Sequence, residues 1–196
     1  MSKIKVGIAA VTLLVLFTGA SMAASVKMKI SGPGRVNDST IKAGQKVDLD
    51  IYLSNEKVHM GMCIGFKISS PDASIKTVVH PVDSGKGLDG SKGDIKGYNG
   101  FESKELFDLM NRAVLNDWDG KLPDIVGFLM HGFNKRWQVM PETKAYSIEM
   151  TVPTPGTLVV DSSFFPPGGL WLTTNESGTV TDSPTWGGPY KFKVVK

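Results

Sequence analysis

The chain carries three histidines (His59, His80, His131) and one cysteine (Cys63), the residue types that most often hold zinc or supply a nucleophile. None of them stands at CxxC, HxxxH or HExxH spacing, so the sequence has no zinc signature. There is no Gly-x-Ser-x-Gly elbow, phosphate loop or dinucleotide fingerprint; Gly85-x-Gly87 lies in a polar run with no strand before it and no helix after it. A hydrolase using two carboxylates distant in sequence would leave no such trace, and it stays open as an alternative.

Calcium chemistry has more support, because a hard cation needs several oxygen ligands and Asp-rich glycine turns supply them. Asp89-Gly90-Ser91-Lys92-Gly93-Asp94 offers Asp89 and Asp94 with a hydroxyl between them. Asn116-Asp117-Trp118-Asp119-Gly120 offers an amide and the carboxylates of Asp117 and Asp119. Neither matches the twelve-residue EF-hand loop, and both also read as ordinary polar turns with solvated carboxylates.

Aromatic residues in turn-like sequence are the other binding device. Trp118, Trp137 and Trp186 neighbour Asp, Arg or Gly, and Tyr98 lies in a glycine-rich run. Left exposed, such rings stack on sugars or anchor a protein partner, since they present a rigid apolar area at low entropy cost. Folded back, they cap a core. Trp118 and Trp137 read as the exposed pair, and Trp171, in Leu-Trp-Leu, as core.

These side chains need a frame, and 196 residues are enough for a single domain. The charged fraction is 21% and the net charge +3, which excludes disorder by charge and a polybasic nucleic-acid binder. Residues 1–23 combine Lys3 and Lys5, an apolar run of about 13 residues and Ala20-Ser21-Met22-Ala23. That pattern reads as a signal peptide cleaved after Ala23, the run being too short for the ~20 residues of a membrane span. The expected product is a secreted chain, extracellular or periplasmic, of net charge +1. Apart from His59, nothing beside Cys63 would lower its pKa, so the lone thiol reads as buried and inert.

From Ala24 onward the apolar residues come every second position. Val47, Leu49, Ile51 and Leu53 alternate with Asp48, Asp50 and Tyr52; from Val58 to Ile68 the apolar residues hold the even positions, with His59, Gly61, Cys63, Gly65 and Lys67 on the odd ones. Val26/Met28/Ile30, Tyr146/Ile148/Met150/Val152 and Tyr190/Phe192/Val194 repeat the pattern. Strands with one apolar face hide it against a second sheet, so the expectation is all-β: a two-sheet antiparallel β-sandwich of jelly-roll or Ig-like type over residues 24–196. An insertion at about 81–123 interrupts it. Its glycine-rich first half reads as loop, and the stripe Leu106, Phe107, Leu109, Met110, Ala113, Val114 behind Ser103 predicts one short helix. The small odd positions of the 58–68 strand form a track onto which that helix or the loop could pack.

The run from Lys42 to Asn55, a Gly turn opening an alternating strand that ends in Ser-Asn, followed by the Met62–Ile68 strand, resembles the opening of cohesin modules. The resemblance spans about 45 residues, Val26 to Ile68. It implies a sandwich of the superfamily that includes cohesins and carbohydrate-binding modules, and it implies binding rather than turnover. The expected role is therefore a secreted non-catalytic module for an extracellular polysaccharide or protein. The alternative is a structural subunit of a bacterial surface layer or filament, assembled by edge-strand pairing.

Overall fold

The computed structural model describes residues 24–80, 101–103, 110–117, 119–132, 136–163, 171–179 and 181–196. In chain order the described strands are β1 (Ser25–Ser31), β2 (Arg35–Asn37), β3 (Thr40–Lys42), β4 (Lys46–Asn55), β5 (His59–Ser69), β6 (Phe101–Ser103) and β7 (Met110–Asp117). There follow β8 (Asp124–His131), β9 (Met140–Thr151), β10 (Gly156–Ser162), β11 (Leu172–Asn175), β12 (Thr181–Asp182), β13 (Thr185–Trp186) and β14 (Tyr190–Val195). They form two sheets. The first runs β13-β1-β4-β9-β6; the second runs β7-β8-β5-β10-β14-β3-β2, with β11 and β12 continuing it beside the N-terminal half of β5.

The alternation of the sequence sets which side chains lie between the sheets. Val47, Leu49, Ile51 and Leu53 of β4, Val26, Met28 and Ile30 of β1, and Ile148 and Met150 of β9 face Met62, Ile64, Phe66 and Ile68 of β5 across one core. Each of these is at most 5% exposed. Burying such groups is the main favourable contribution to folding.

Two expectations are corrected. The sheets are mixed, not purely antiparallel: β13 runs parallel to β1 and β14 parallel to β3, pairings that let strands far apart in sequence extend the sheets. The helix expected over the second half of the insertion is absent where that half is described, because Met110–Asp117 is strand β7. Its backbone pairs with β8 along its length, Arg112 opposite Leu129 and Val114 opposite Gly127. A ladder of that length outweighs the weak local preference that a helical stripe expresses. Residues 81–100, which hold the glycines of the expected loop, residues 104–109 and the 1–23 segment lie outside the described residues, while Phe101–Ser103, at the junction of the expected loop and helix, is strand β6 paired with β9.

The stretch Ile75–Val79 forms a strap over one end of the sandwich. Ile75 and Val78 are buried; Thr77 bridges to Lys121, just before β8, and Val79 to Thr151, the last residue of β9. The strap thus touches both sheets. Gly120 is required beneath it: φ is +78°, and a Cβ there would stand 2.7 Å from the Val78 carbonyl oxygen.

Candidate functional site

The two outer faces of the sandwich differ in how their polar groups are used. On the first sheet Lys27 and Lys29 of β1 both reach Glu142, at 2.8 and 2.6 Å, and Lys46 reaches Glu149 at 2.7 Å. Asp50 is 3% exposed and lies 2.8 Å from the Lys144 ammonium. Burial pushes its carboxyl upward, but hydrogen bonds from Lys144, Ser147 and Ser31 outweigh that and hold it below the usual carboxylate range. This face satisfies itself.

The outer face of the second sheet is uncharged across β11, the Gly61–Gly65 part of β5 and the part of β8 that pairs with it. Paired residues of neighbouring strands share a face, so Leu172, Cys63 and Leu129 form one row and Thr174, Gly61 and His131 a second. Gly65 stands opposite Gly127 in a third. Leu129 and Leu172 are half-buried, and the glycines keep the centre low. Cys63 is buried at 7% exposure, and burial pushes its thiol pKa up, so it stays protonated and inert.

His59 does not belong to that face, although alternation places it there. Between Thr174 opposite Gly61 and Asn175 opposite His59 the register shifts, one residue of β11 against two of β5, and the extra residue is Met60. The bulge turns His59 inward against Trp137, with ring centroids 5.2 Å apart. The two also exchange backbone hydrogen bonds of 3.0 Å. His59 Nδ1 lies 3.0 Å from the Thr174 carbonyl oxygen, which can only accept, so the proton sits on Nδ1. Nε2 is left buried without a hydrogen-bond partner among the described residues.

Burial therefore drives the pKa of His59 below its ordinary value, against smaller opposite pulls from the Thr174 carbonyl and Asp182. The unfolded chain takes up a proton near pH 6.5 that the folded chain refuses, so this contribution is complete above that pH and is lost as pH falls below it. In urea titrations from pH 7.5 to 5, wild type is expected to lose more stability than His59→Leu, by up to about 1.4 kcal/mol per pH unit. Parallel pH profiles would refute the assignment.

The aromatic residues singled out for binding fall in different places. Trp137 is 1% exposed and part of the core, which corrects the expectation that it is exposed: its backbone bridge to His59 draws the ring inside. Trp186 is half-buried in an aromatic wedge closing one edge, 5.4 Å from Phe66, 5.7 Å from Trp171 and 5.2 Å from Tyr190. Its indole N–H donates to Asp161 at 2.9 Å. Trp171 packs edge-on to Phe66 and donates to the Pro184 carbonyl, in keeping with a core-facing role. Tyr98 and Trp118 lie outside the described residues.

Of the carboxylates considered for calcium, Asp89 and Asp94 lie outside the described residues, and Asp117 is described only as the last residue of β7. Asp119 is exposed and accepts the Lys121 backbone N–H at 2.8 Å. Among the described residues no three His, Cys, Asp or Glu side chains converge to hold a metal ion. The pair that no motif announced is His80–Asp124: Nε2 to Oδ2 is 2.8 Å, with side chains 1% and 0% exposed. Asp124 also accepts the Gly120 N–H at 3.2 Å.

No protein-family model matches the sequence, and no curated protein does. Solved structures do match. A type II cohesin domain from the cellulosome of Acetivibrio cellulolyticus superposes with a TM-score of 0.51 at 13% identity, covering 87% of this chain and 95% of its own. A chain from an N-terminal interface mutant of a type II cohesin–X-dockerin complex of the same organism gives a TM-score of 0.50 at 11% identity, covering 88% and 99%. The fold is cohesin-like. At such identity the likeness rests on architecture, two sheets enclosing one core, and the cohesin-like frame leaves a self-paired charged face on one side and, around Leu129, Cys63 and Leu172, an uncharged patch on the other.

Proposed function

We propose that this chain is an exported, non-catalytic binding module whose partner is a dockerin-like polypeptide seated on the outer face of β11, β5 and β8. The observation that carries this reading is the contrast between the faces: one neutralises its own charges, while the other offers half-buried Leu129 and Leu172 around a low centre of glycines. An apolar patch of that kind suits a protein surface. The comparison with a cohesin–X-dockerin complex points the same way. His80–Asp124, the histidine–carboxylate pair that could serve acid–base chemistry, is sealed from solvent, which favours binding over turnover. Edge pairing into a filament is less favoured, because β2, β6, β12 and β13 are only two or three residues long. Among the described residues β7 is the long edge.

The test is capture of a partner from the extracellular fraction of the source organism on immobilised chain, with Leu129→Arg/Leu172→Arg run in parallel. The expected result is one polypeptide bound in simple stoichiometry by wild type, with at least a tenfold loss in the variant at an unchanged melting temperature. Equal capture by both, or retention on insoluble polysaccharide alone, would overturn the reading.

A further inference from the structure

The other half of the second sheet, from the end of β5 through β10 and β14 to β3, carries lysines of a different kind. Lys27, Lys29, Lys46 and Lys144 on the first sheet each lie within 2.8 Å of a carboxylate. Lys67, Lys76, Lys191 and Lys193 are exposed, and none has a carboxylate within 4.0 Å among the described residues. Asp161 stands directly opposite Lys67, yet its Oδ1 accepts the Trp186 indole N–H and the Ser162 N–H. Asp72 likewise serves Ser70 and Ser74, whose hydrogen bonds hold its carboxyl down at about 2.

The register lines these cations up. Ser69 faces Val159, which faces Lys191, so Lys191 lies two strands, roughly 10 Å, from Ser69; Lys67 stands two residues before Ser69 on β5 and Lys193 about 7 Å beyond Lys191 on β14, so the three run diagonally across the sheet. Two open grooves flank the row. One, of about 620 Å³, runs between Lys67, Ser70, Lys76, Thr77 and Lys121; the other, of about 560 Å³, runs between Ser39, Thr157, Lys191 and Lys193. Both combine ammonium groups with hydroxyls. Neither has an exposed aromatic ring on which a base could stack, the Phe192 of the second being buried.

We propose that this strip binds a linear acidic polysaccharide, a carboxylate-bearing chain running from the Lys121 rim to Lys193. Its carboxylates meet the lysines and its hydroxyls the serines and threonines, and the many weak contacts act together. The strip occupies another part of the same outer face and shares no residue with the Leu129–Leu172 rows, so either proposal can fail alone.

The probe is polygalacturonate, titrated against the mature chain with dextran and single-stranded DNA in parallel. The expected result is binding to polygalacturonate that weakens at least tenfold between 0.05 and 0.5 M salt, as screening requires. Lys67→Gln/Lys191→Gln/Lys193→Gln is expected to weaken it tenfold or more at an unchanged melting temperature. Lys27→Gln/Lys29→Gln is expected to bind as wild type, and Leu129→Arg/Leu172→Arg, which adds two cations and removes none, at least as tightly. Equal loss in the Lys27/Lys29 variant, equal affinity for DNA, no binding at low salt, or binding of dextran alone would each overturn the proposal.

Discussion

Phe66→Ala is expected to lower the free energy of unfolding by roughly 3–5 kcal/mol, one of the largest single losses in the molecule. Phe66 is fully buried on β5 and sits where the second sheet meets the aromatic wedge. Its ring is 6.0 Å from Phe128, 5.7 Å from Trp171 and 5.4 Å from Trp186, and the last two contacts tie the core to the edge held by β13. Each aromatic pair adds about 0.5–1.5 kcal/mol beyond the burial of area, so three contacts vanish along with the apolar volume. For a chain of this size the melting temperature should fall by roughly 6–20 °C. Urea unfolding gives the energy directly, and the emission of Trp171 and Trp186 should shift red if the wedge opens. Phe66→Leu, which keeps much of the volume, should cost clearly less. A loss below about 1 kcal/mol for Phe66→Ala would mean that the wedge does not hold the sheets together.

Much of this frame is legible in the sequence, and the reason is physical. A strand with one wet face must alternate, so Val47 to Leu53, Met62 to Ile68 and Phe192/Val194 announce both their structure and their inward side. What alternation cannot show is where it slips. The run from Val58 to Ile68 is unbroken on paper, yet the bulge at Met60 sends His59 inside, and only the partner strand β11 reveals it. Trp137 misleads for the same reason: beside Arg136 it reads as exposed, while its bridge to His59 is a contact 78 positions distant in sequence. The stripe in Met110–Val114 fits a helix locally and becomes strand because β8 is available to pair with it. The candidate faces were still less legible. Leu129, Leu172 and the glycines of β5 and β8 come together through register alone, and Lys67, Lys191 and Lys193 look no different in the sequence from the lysines that find acid partners.

The strap carries the second large effect. Asp124→Ala is expected to destabilise the fold by roughly 2–5 kcal/mol, because it removes the acceptor of two buried donors or partners at once, His80 Nε2 and the Gly120 N–H. A buried polar group left without its partner costs about 1–3 kcal/mol. Asp124→Asn should cost less, since its amide oxygen can still accept from Gly120. In a double-mutant cycle, Asp124→Leu with His80→Leu should be less damaging than the sum of the two single changes, with a coupling of about 0.5–3 kcal/mol; strict additivity would show that the pair acts as two independent residues. The strap also supplies Lys76 and Thr77 to the cationic groove, with Lys121 opposite them. Loosening its anchor should therefore weaken polygalacturonate binding as well, while Phe66→Ala, which acts at the other side of β5, should lower stability without that loss in the fraction still folded. The comparison separates a groove positioned by the His80–Asp124 contact from one that merely shares its fate with the core.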